Sequence, residues 1–525
     1  MNNPVPNSAA GGRLSLRRQL EQLRTLPALQ QIDLLLNSPQ GGELVRHMPS
    51  HELYLLLREV GLEDAQEVLG LAAPSQFEAF LDMDCWKRDR INLACMGRWL
   101  ENLLEGADEQ AVLEIVRALD FELLLLFFGR CLSDPEAEKT EDQPDFPPEM
   151  FKVGEQLLAL VEEQDPELFQ QLALSLNADT FASLEESAYQ RHRTRQWEAG
   201  FPDFMDAQIV YTRLNPDQVT ADADFCATDL PRQNERLFYF PELASNAKEA
   251  LWLQELLAGR EAELAAVVNR VLAAEDRDIG DREILRVALQ EVRDYLHLGG
   301  EYLRARHGAQ WAELWPHLPL LTLFRTGFSL TLQLHDRALR LAKSDTSFLL
   351  DDVWQRPLAA LKKRKPQFLP PELETPRGFR SLDELERAKG WLDEAEVAEK
   401  LFEGPLRFDL SSWQPVDASK HPLPAPLMSR IFLTALANRL LGGKLAPRPI
   451  PASKLGALHR MITLDGHLHP RLREETVNWL ESLVPGGGRF AQFCLRQWDE
   501  AFCPITPDKM DPRFVGGLLI APDTA

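Results

Sequence analysis

Apolar residues recur at helical spacing along most of this chain. Leu53, Leu56, Leu57 and Val60 stand at i, i+3, i+4 and i+7, the stripe of an amphipathic helix. Gly61 supplies a residue able to take the positive φ that closes such a helix, and Glu63-Asp64 opens the next. Val112, Ile115, Val116 and Leu119 repeat the stripe after Asp108. Asp165-Pro166 marks another start, because proline in the first helical position forfeits no hydrogen bond. Ser75 with Glu78 reads as a capping box. One opening, an acidic or hydroxyl residue with a Glu soon after, returns in Ser50-His51-Glu52-Leu53, Ser75-Gln76-Phe77-Glu78, Asp120-Phe121-Glu122-Leu123 and Asp165-Pro166-Glu167-Leu168. Helices this short cannot bury their apolar faces alone, so the pattern predicts hairpins stacked side by side. Phe121 and Leu123 to Phe128 leave little polar face, which predicts a helix buried on several sides, within the array or at an interface.

Further helices are predicted over 242–274, 281–306, 320–343, 383–402, 427–441, 471–483 and 490–502. One stretch, 207–212, reads as a strand. Residues 133–149 are acidic, proline-rich and aperiodic, and predict an exposed, mobile loop. Residues 365–380 read as a proline-punctuated linker and 404–426 as irregular, with ordered belts across the surface as the alternative that composition leaves open. The fold class is therefore all-α, with stacked short hairpins, superhelical or solenoid-like, followed by a second, less regular helical region. The expected segments are a flexible arm at 1–24, a repeat-like domain at 25–200, a central helical domain at 201–402 and a C-terminal segment at 403–525.

At 525 residues the chain exceeds what one compact core holds. Its 57 Lys and Arg face 81 Asp and Glu, a net charge of −24 that repels phosphate backbones and argues against a nucleic-acid partner. Two basic runs, Arg191-His192-Arg193-Thr194-Arg195 and Lys362-Lys363-Arg364-Lys365, read as solvated helix ends. Cys85, Cys95, Cys131, Cys226, Cys494 and Cys503 form no Cys-x-x-Cys pair and read as reduced, mostly buried thiols. The N-terminal stretch has no hydrophobic signal core, and no apolar run is both long and uncharged enough to span a bilayer. A cytoplasmic protein without membrane insertion is expected.

Motif chemistry is sparse. No Gly-x-Ser-x-Gly elbow, Walker loop, His-Glu-x-x-His or dinucleotide fingerprint occurs. Gly442-Gly443-Lys444 and Pro485-Gly486-Gly487-Gly488-Arg489 come nearest to a phosphate cradle, but neither follows a predicted strand, and a loop or helix cap explains both. The best metal candidate is His459, Asp465, His467 and His469, since imidazoles two residues apart converge on one ion when the backbone is extended. The alternative, polar turn residues capping neighbouring helices, is favoured because the spacing fixes no coordination geometry. Asp82-Met83-Asp84 starts like a calcium loop, but Cys85-Trp86 stand where an oxygen ligand and a glycine are needed. It reads instead as a helix end with Trp86 packed inward and Lys87 to Arg90 as a salt-bridged turn. No catalytic, cofactor-binding or metal residue is assigned.

Two resemblances bear on this. Strings such as SHELYLLLREVGLEDAQEVLGL and LDFELLLLFFGRCL make residues 48–190 resemble the N-terminal cytosolic domain of bacterial magnesium transporters, a superhelix of short helices. No transmembrane span follows, so transport does not carry over. The strings EVGLEDAQEVLGLAAPSQFEAFLDMDCWKRDR, GFPDFMDAQIVYTRLNP and LFRTGFSLTLQLHDRA resemble the bacterial domain-of-unknown-function family 6178, which implies no activity. Stacked helices and missing catalytic motifs point to a scaffold or adaptor for a protein partner or a second copy. A metal-dependent hydrolase or other enzyme of unfamiliar type, and a regulator responding to a divalent cation, are the alternatives.

Overall fold

The computed structural model describes residue 16 and residues 18–133, 146–176, 180–219, 257–410, 426–510, 515 and 517–521. Most of the expected acidic loop at 133–149, half of the helix expected over 242–274, and Cys226 lie outside the described residues. The fold is all-α: the described chain is helix after helix, with two-residue strands as the only sheet elements among the described residues. Among these residues no helix is long and apolar enough to cross a membrane. The chain divides into two compact units, residues 1–212, 220–293 and 310–324 in the first, and 213–219, 294–309 and 325–525 in the second.

In the first unit the helices are α1 (Ala28–Asn37), α2 (Gly41–His47), α3 (Ser50–Val60), α4 (Gln66–Leu69), α5 (Pro74–Asp84), α6 (Leu93–Gly106), α7 (Glu109–Ala118), α8 (Phe121–Leu132), α9 (Pro148–Gln164), α10 (Pro166–Ser175), α11 (Phe181–Glu198), α12 (Phe204–Ala207) and α13 (Glu261–Ala274). Helices two apart pack together, α3 on α5, α4 on α6, α5 on α7 and α6 on α8, while α9 covers α6 to α8 and α11 lies along α8. Glycine permits one close crossing: a Cβ on Gly106 would stand 2.0 Å from the Gln66 carbonyl oxygen. Leu123 to Phe128 are all buried, so α8 lies inside this array as one of the two expectations had it.

The recurring opening does not work as one device. Asp165 accepts the Leu168 N–H at 3.1 Å and so does cap α10. Helix α3 begins at Ser50 itself, behind Pro49, with no side-chain cap. At α5 the closing bond runs from the Ala73 N–H to Gln76 Oε1 at 2.8 Å, so the expected Ser75–Glu78 box is displaced by two residues. Asp120 precedes α8 but spends its carboxylate elsewhere, as described below. The expected strand at 207–212 is helical, with α12 continuing into a 3-10 turn over Gln208–Tyr211. Ala207 and Val210 turn inward three residues apart, a period that a strand cannot satisfy.

Helices α14 (Arg282–His307) and α16 (Leu320–Ala342) contribute to both units, and the four-residue α15 (Trp311–Leu314) to the first. The second unit adds α17 (Asp352–Leu361), α18 (Leu382–Glu403), α19 (Met428–Leu440), α20 (Leu455–Ile462), α21 (Pro470–Leu483) and α22 (Gly487–Ala501). Helix α22 is its centre and packs on α18, α19 and α21, burying Phe490, Cys494, Leu495 and Trp498. The stretch 365–380 is not a free linker. Phe368 and Phe379 are buried, Phe368 bridges to Arg377, and the Phe368 ring stacks on Trp391 at 5.3 Å. Its prolines mark a tied-down belt whose aromatic anchors outweigh the punctuation.

Candidate functional site

The densest polar chemistry among the described residues surrounds the C-terminal end of α5. Glu78 and Asp82 are four apart, so they share one face of that helix, and Arg191, His192 and Arg195 share a face of α11 by the same spacing. Arg195 donates from Nε to Asp82 Oδ2 at 2.6 Å, from Nη2 to Asp82 Oδ1 at 2.9 Å, and from Nη1 to Asp120 Oδ2 at 2.7 Å. Glu78 lies 3.2 Å from the same Nη1. Arg191 bonds Asp120 at 3.2 Å and Glu122 at 2.8 Å. His192 Nδ1 meets Asp82 Oδ1 at 3.0 Å, and its ring lies flat on Trp86, 4.5 Å between centroids.

Burial opposes the Arg195 charge, but the bonds to Asp82 and Asp120 outweigh it and hold the guanidinium above its ordinary value. Burial pushes Glu78 up against the pull of Arg195. This network ties α5, α8 and α11 together, and it corrects the reading of a solvated helix end for His192 and Arg195, while Arg191, Arg193 and Thr194 stay exposed. The pattern of i, i+4 arginines was visible in the sequence; their acidic partners, more than 70 residues away for Asp120 and more than 110 for Asp82, were not.

A second cluster lies two residues further on, at Asp84. Asp84 accepts the Tyr54 O–H at 3.0 Å and the Trp99 Nε1–H at 2.8 Å, with Arg58 Nη1 3.5 Å away. Cys95 Sγ stands 3.2 Å from Asp84 Oδ2 and 2.9 Å from Cys85 Sγ. Asp84, Cys85 and Cys95 are the one group of three potential metal-ligating side chains that come together among the described residues. Tyr54, Phe77, Phe80 and Trp99 pack against one another beside them, with Phe80 and Trp99 5.3 Å apart. Burial holds the Tyr54 hydroxyl and the Cys85 thiol above their ordinary values. The sequence signal was a helix end and a helix start, each carrying a cysteine, ten residues apart. Trp86, read as packed inward, is half-buried and belongs to a two-pair hairpin, β1 (Trp86–Lys87) with β2 (Arg90–Ile91).

The histidine turn does not assemble. His459 is buried on α20 with Nε2 at 3.0 Å from the Cys503 carbonyl oxygen. Asp465 and Gly466, both at positive φ, make the turn between β4 (Thr463–Leu464) and β5 (His467–Leu468). His467 is exposed, 3.6 Å from Asp499. His469 caps α21, its Nδ1 accepting the Arg471 N–H at 3.2 Å. The glycine loop before α22 already holds an anion of its own: Glu481 accepts the Gly486 N–H at 3.0 Å and the Gly488 N–H at 2.9 Å, which holds its carboxyl below the ordinary range. Gly442, at positive φ, closes α19.

These features define a helical protein in which the charged side chains of the two clusters are spent on one another. The chain belongs to a family of unknown function (DUF6178), which matches residues 8–521. That match supports the family resemblance and does not extend to the magnesium-transporter domain. No curated protein and no solved structure matches the chain.

Proposed function

We propose that this protein is a cytoplasmic scaffold or adaptor that binds another protein through helical surfaces of its first unit, without nucleic-acid or membrane partners. The observation that carries the reading is the outer face of α1. Ile32 and Leu35 are buried, yet Leu29 and Leu36, which flank them on the same stripe at i, i+3 and i+7, are 66% and 38% exposed. The apolar stripe is wider than the part the unit covers, and such a face suits the apolar ridge of a partner helix. The net charge of −24 favours a partner with a basic rim and makes the encounter salt-sensitive. Regular superhelical stacking of the first unit belongs to the same proposal.

The test is affinity capture of the tagged chain from its native cytosol, with metal analysis of the same eluate, beside a Leu29→Glu/Leu36→Glu variant. A stoichiometric protein retained by the wild type and lost from an equally stable variant is expected. Equal retention by the variant, or a partner-free preparation carrying stoichiometric metal, would overturn the reading.

A further inference from the structure

We infer that Cys85 and Cys95 are a modification site: they join in a reversible internal disulfide when the chain meets a small two-electron thiol oxidant such as a peroxide. Cys85 is the residue that ends α5, and Cys95 lies in the first turn of α6, so both are fixed by helix termini rather than by a mobile loop. Their sulfurs stand 2.9 Å apart, inside ordinary van der Waals contact and about 0.9 Å beyond a disulfide bond. The bond needs only a small side-chain adjustment.

A shared metal ion fits the same atoms less well. Two thiolates on one tetrahedral ion, each about 2.3 Å from it, stand roughly 3.7 Å apart, so the pair would have to open. Asp84 is occupied as well, by Tyr54, Trp99 and the neighbouring Arg58. A disulfide is neutral and suits the aromatic surroundings, where two buried thiolates do not.

Access comes through the β1–β2 hairpin. It holds only two residue pairs, Lys87 to Arg90 are exposed, and Arg88 takes a positive φ of 59° at its tip. The Cys85 carbonyl accepts the Asn92 N–H at 2.7 Å, so opening the hairpin releases the Cys85 backbone from its partner strand. The chemistry then balances. With the hairpin open and water admitted, one cysteine ionises and its thiolate attacks the peroxide, breaking the O–O bond, to give a sulfenic acid and, once the leaving hydroxide takes up the released proton, one water. The other sulfur displaces the hydroxyl as a second water, and two S–H bonds have become one S–S bond. The cross-link closes the hairpin and fixes Trp86, which follows Cys85 and stacks on His192.

The full-length chain is treated with hydrogen peroxide, blocked with N-ethylmaleimide after unfolding, and mapped by peptide mass spectrometry, with zinc measured before treatment. A linked peptide carrying Cys85 and Cys95, 2 Da lighter than the dithiol and cleaved by dithiothreitol, is expected at ~2 Da resolution as the main product. Tryptic cleavage of the native chain at Lys87, Arg88 and Arg90 should slow by about tenfold on oxidation, because the cross-link restrains local opening. Neither measurement needs a variant to fold, and Cys85→Ser should abolish both effects where it does. The inference fails if both cysteines stay alkylatable under peroxide that oxidises Cys131, if they go to sulfinic acid without linking, or if the isolated chain holds one zinc that both cysteines ligate.

Discussion

Two aspartates, one in each unit, solve the problem of a buried carboxylate differently. Asp82 faces a full charge, the Arg195 guanidinium, on both oxygens, with the His192 ring beside it. Asp351 is held by neutral donors at the start of α19, the Ser429 N–H at 3.0 Å and the Ser429 hydroxyl. Burial pushes Asp351 above the ordinary carboxylate range despite both bonds. The first arrangement fixes three helices at once but leaves several charges exposed to the loss of any one. The second is a capping contact whose failure stays local.

Removing Arg195 should therefore produce the largest effect. Arg195→Ala leaves Asp82 and Asp120 without their main counter-charge in a mostly buried site, and a loss of about 3–5 kcal/mol in urea denaturation is expected. The cost should be one of stranded charge rather than lost contact. If so, Asp82→Leu in the Arg195→Met background recovers about 1–3 kcal/mol of it. Strict additivity of the two changes would show that the network is a set of independent surface pairs.

Asp351→Ala should cost less, about 1–3 kcal/mol, for two unsatisfied donors at one helix start. Its pH dependence separates the two aspartates. A carboxyl raised on folding contributes its full stability below the unfolded value, near 3.9, and loses it as pH rises through the folded value. The gap between the wild type and Asp351→Asn should narrow as pH rises through that window. A gap that widens would mean that the folded protein prefers the ionised form.

What the sequence made legible follows the range of the interaction. Helices α3, α7, α10, α16, α18 and α21 were readable because stripes, prolines and caps act over four residues or fewer. The burial of α8 was readable because seven apolar residues in eight leave no polar face to expose. The belt at 365–380 was not legible because proline content says only where regular structure stops, while Phe368 is anchored on Phe379 and Trp391, beyond the reach of a local periodic pattern. The Asp82–Arg195 network and the Cys85–Cys95 pair needed a tertiary fold before any residue type could point to them. Conversely, His459 to His469 looked like a site because they are close in sequence, and the fold sends each to a different task.

That last contrast gives the smallest effect and the sharpest discrimination. His469 sits at the cap of α21 with Nδ1 on the Arg471 N–H, so His469→Ala should cost about 0.5–1 kcal/mol by thermal melting. Asparagine can accept the same N–H with its side-chain oxygen but cannot replace imidazole on a metal, so His469→Asn should retain most of the stability. A metal ligand would behave in the opposite way. Asparagine would then be as damaging as alanine, and added zinc would raise the melting temperature of the wild type but of neither variant. The cap reading predicts the same zinc response, whatever its size, in all three proteins, because the helix start does not care which acceptor closes it.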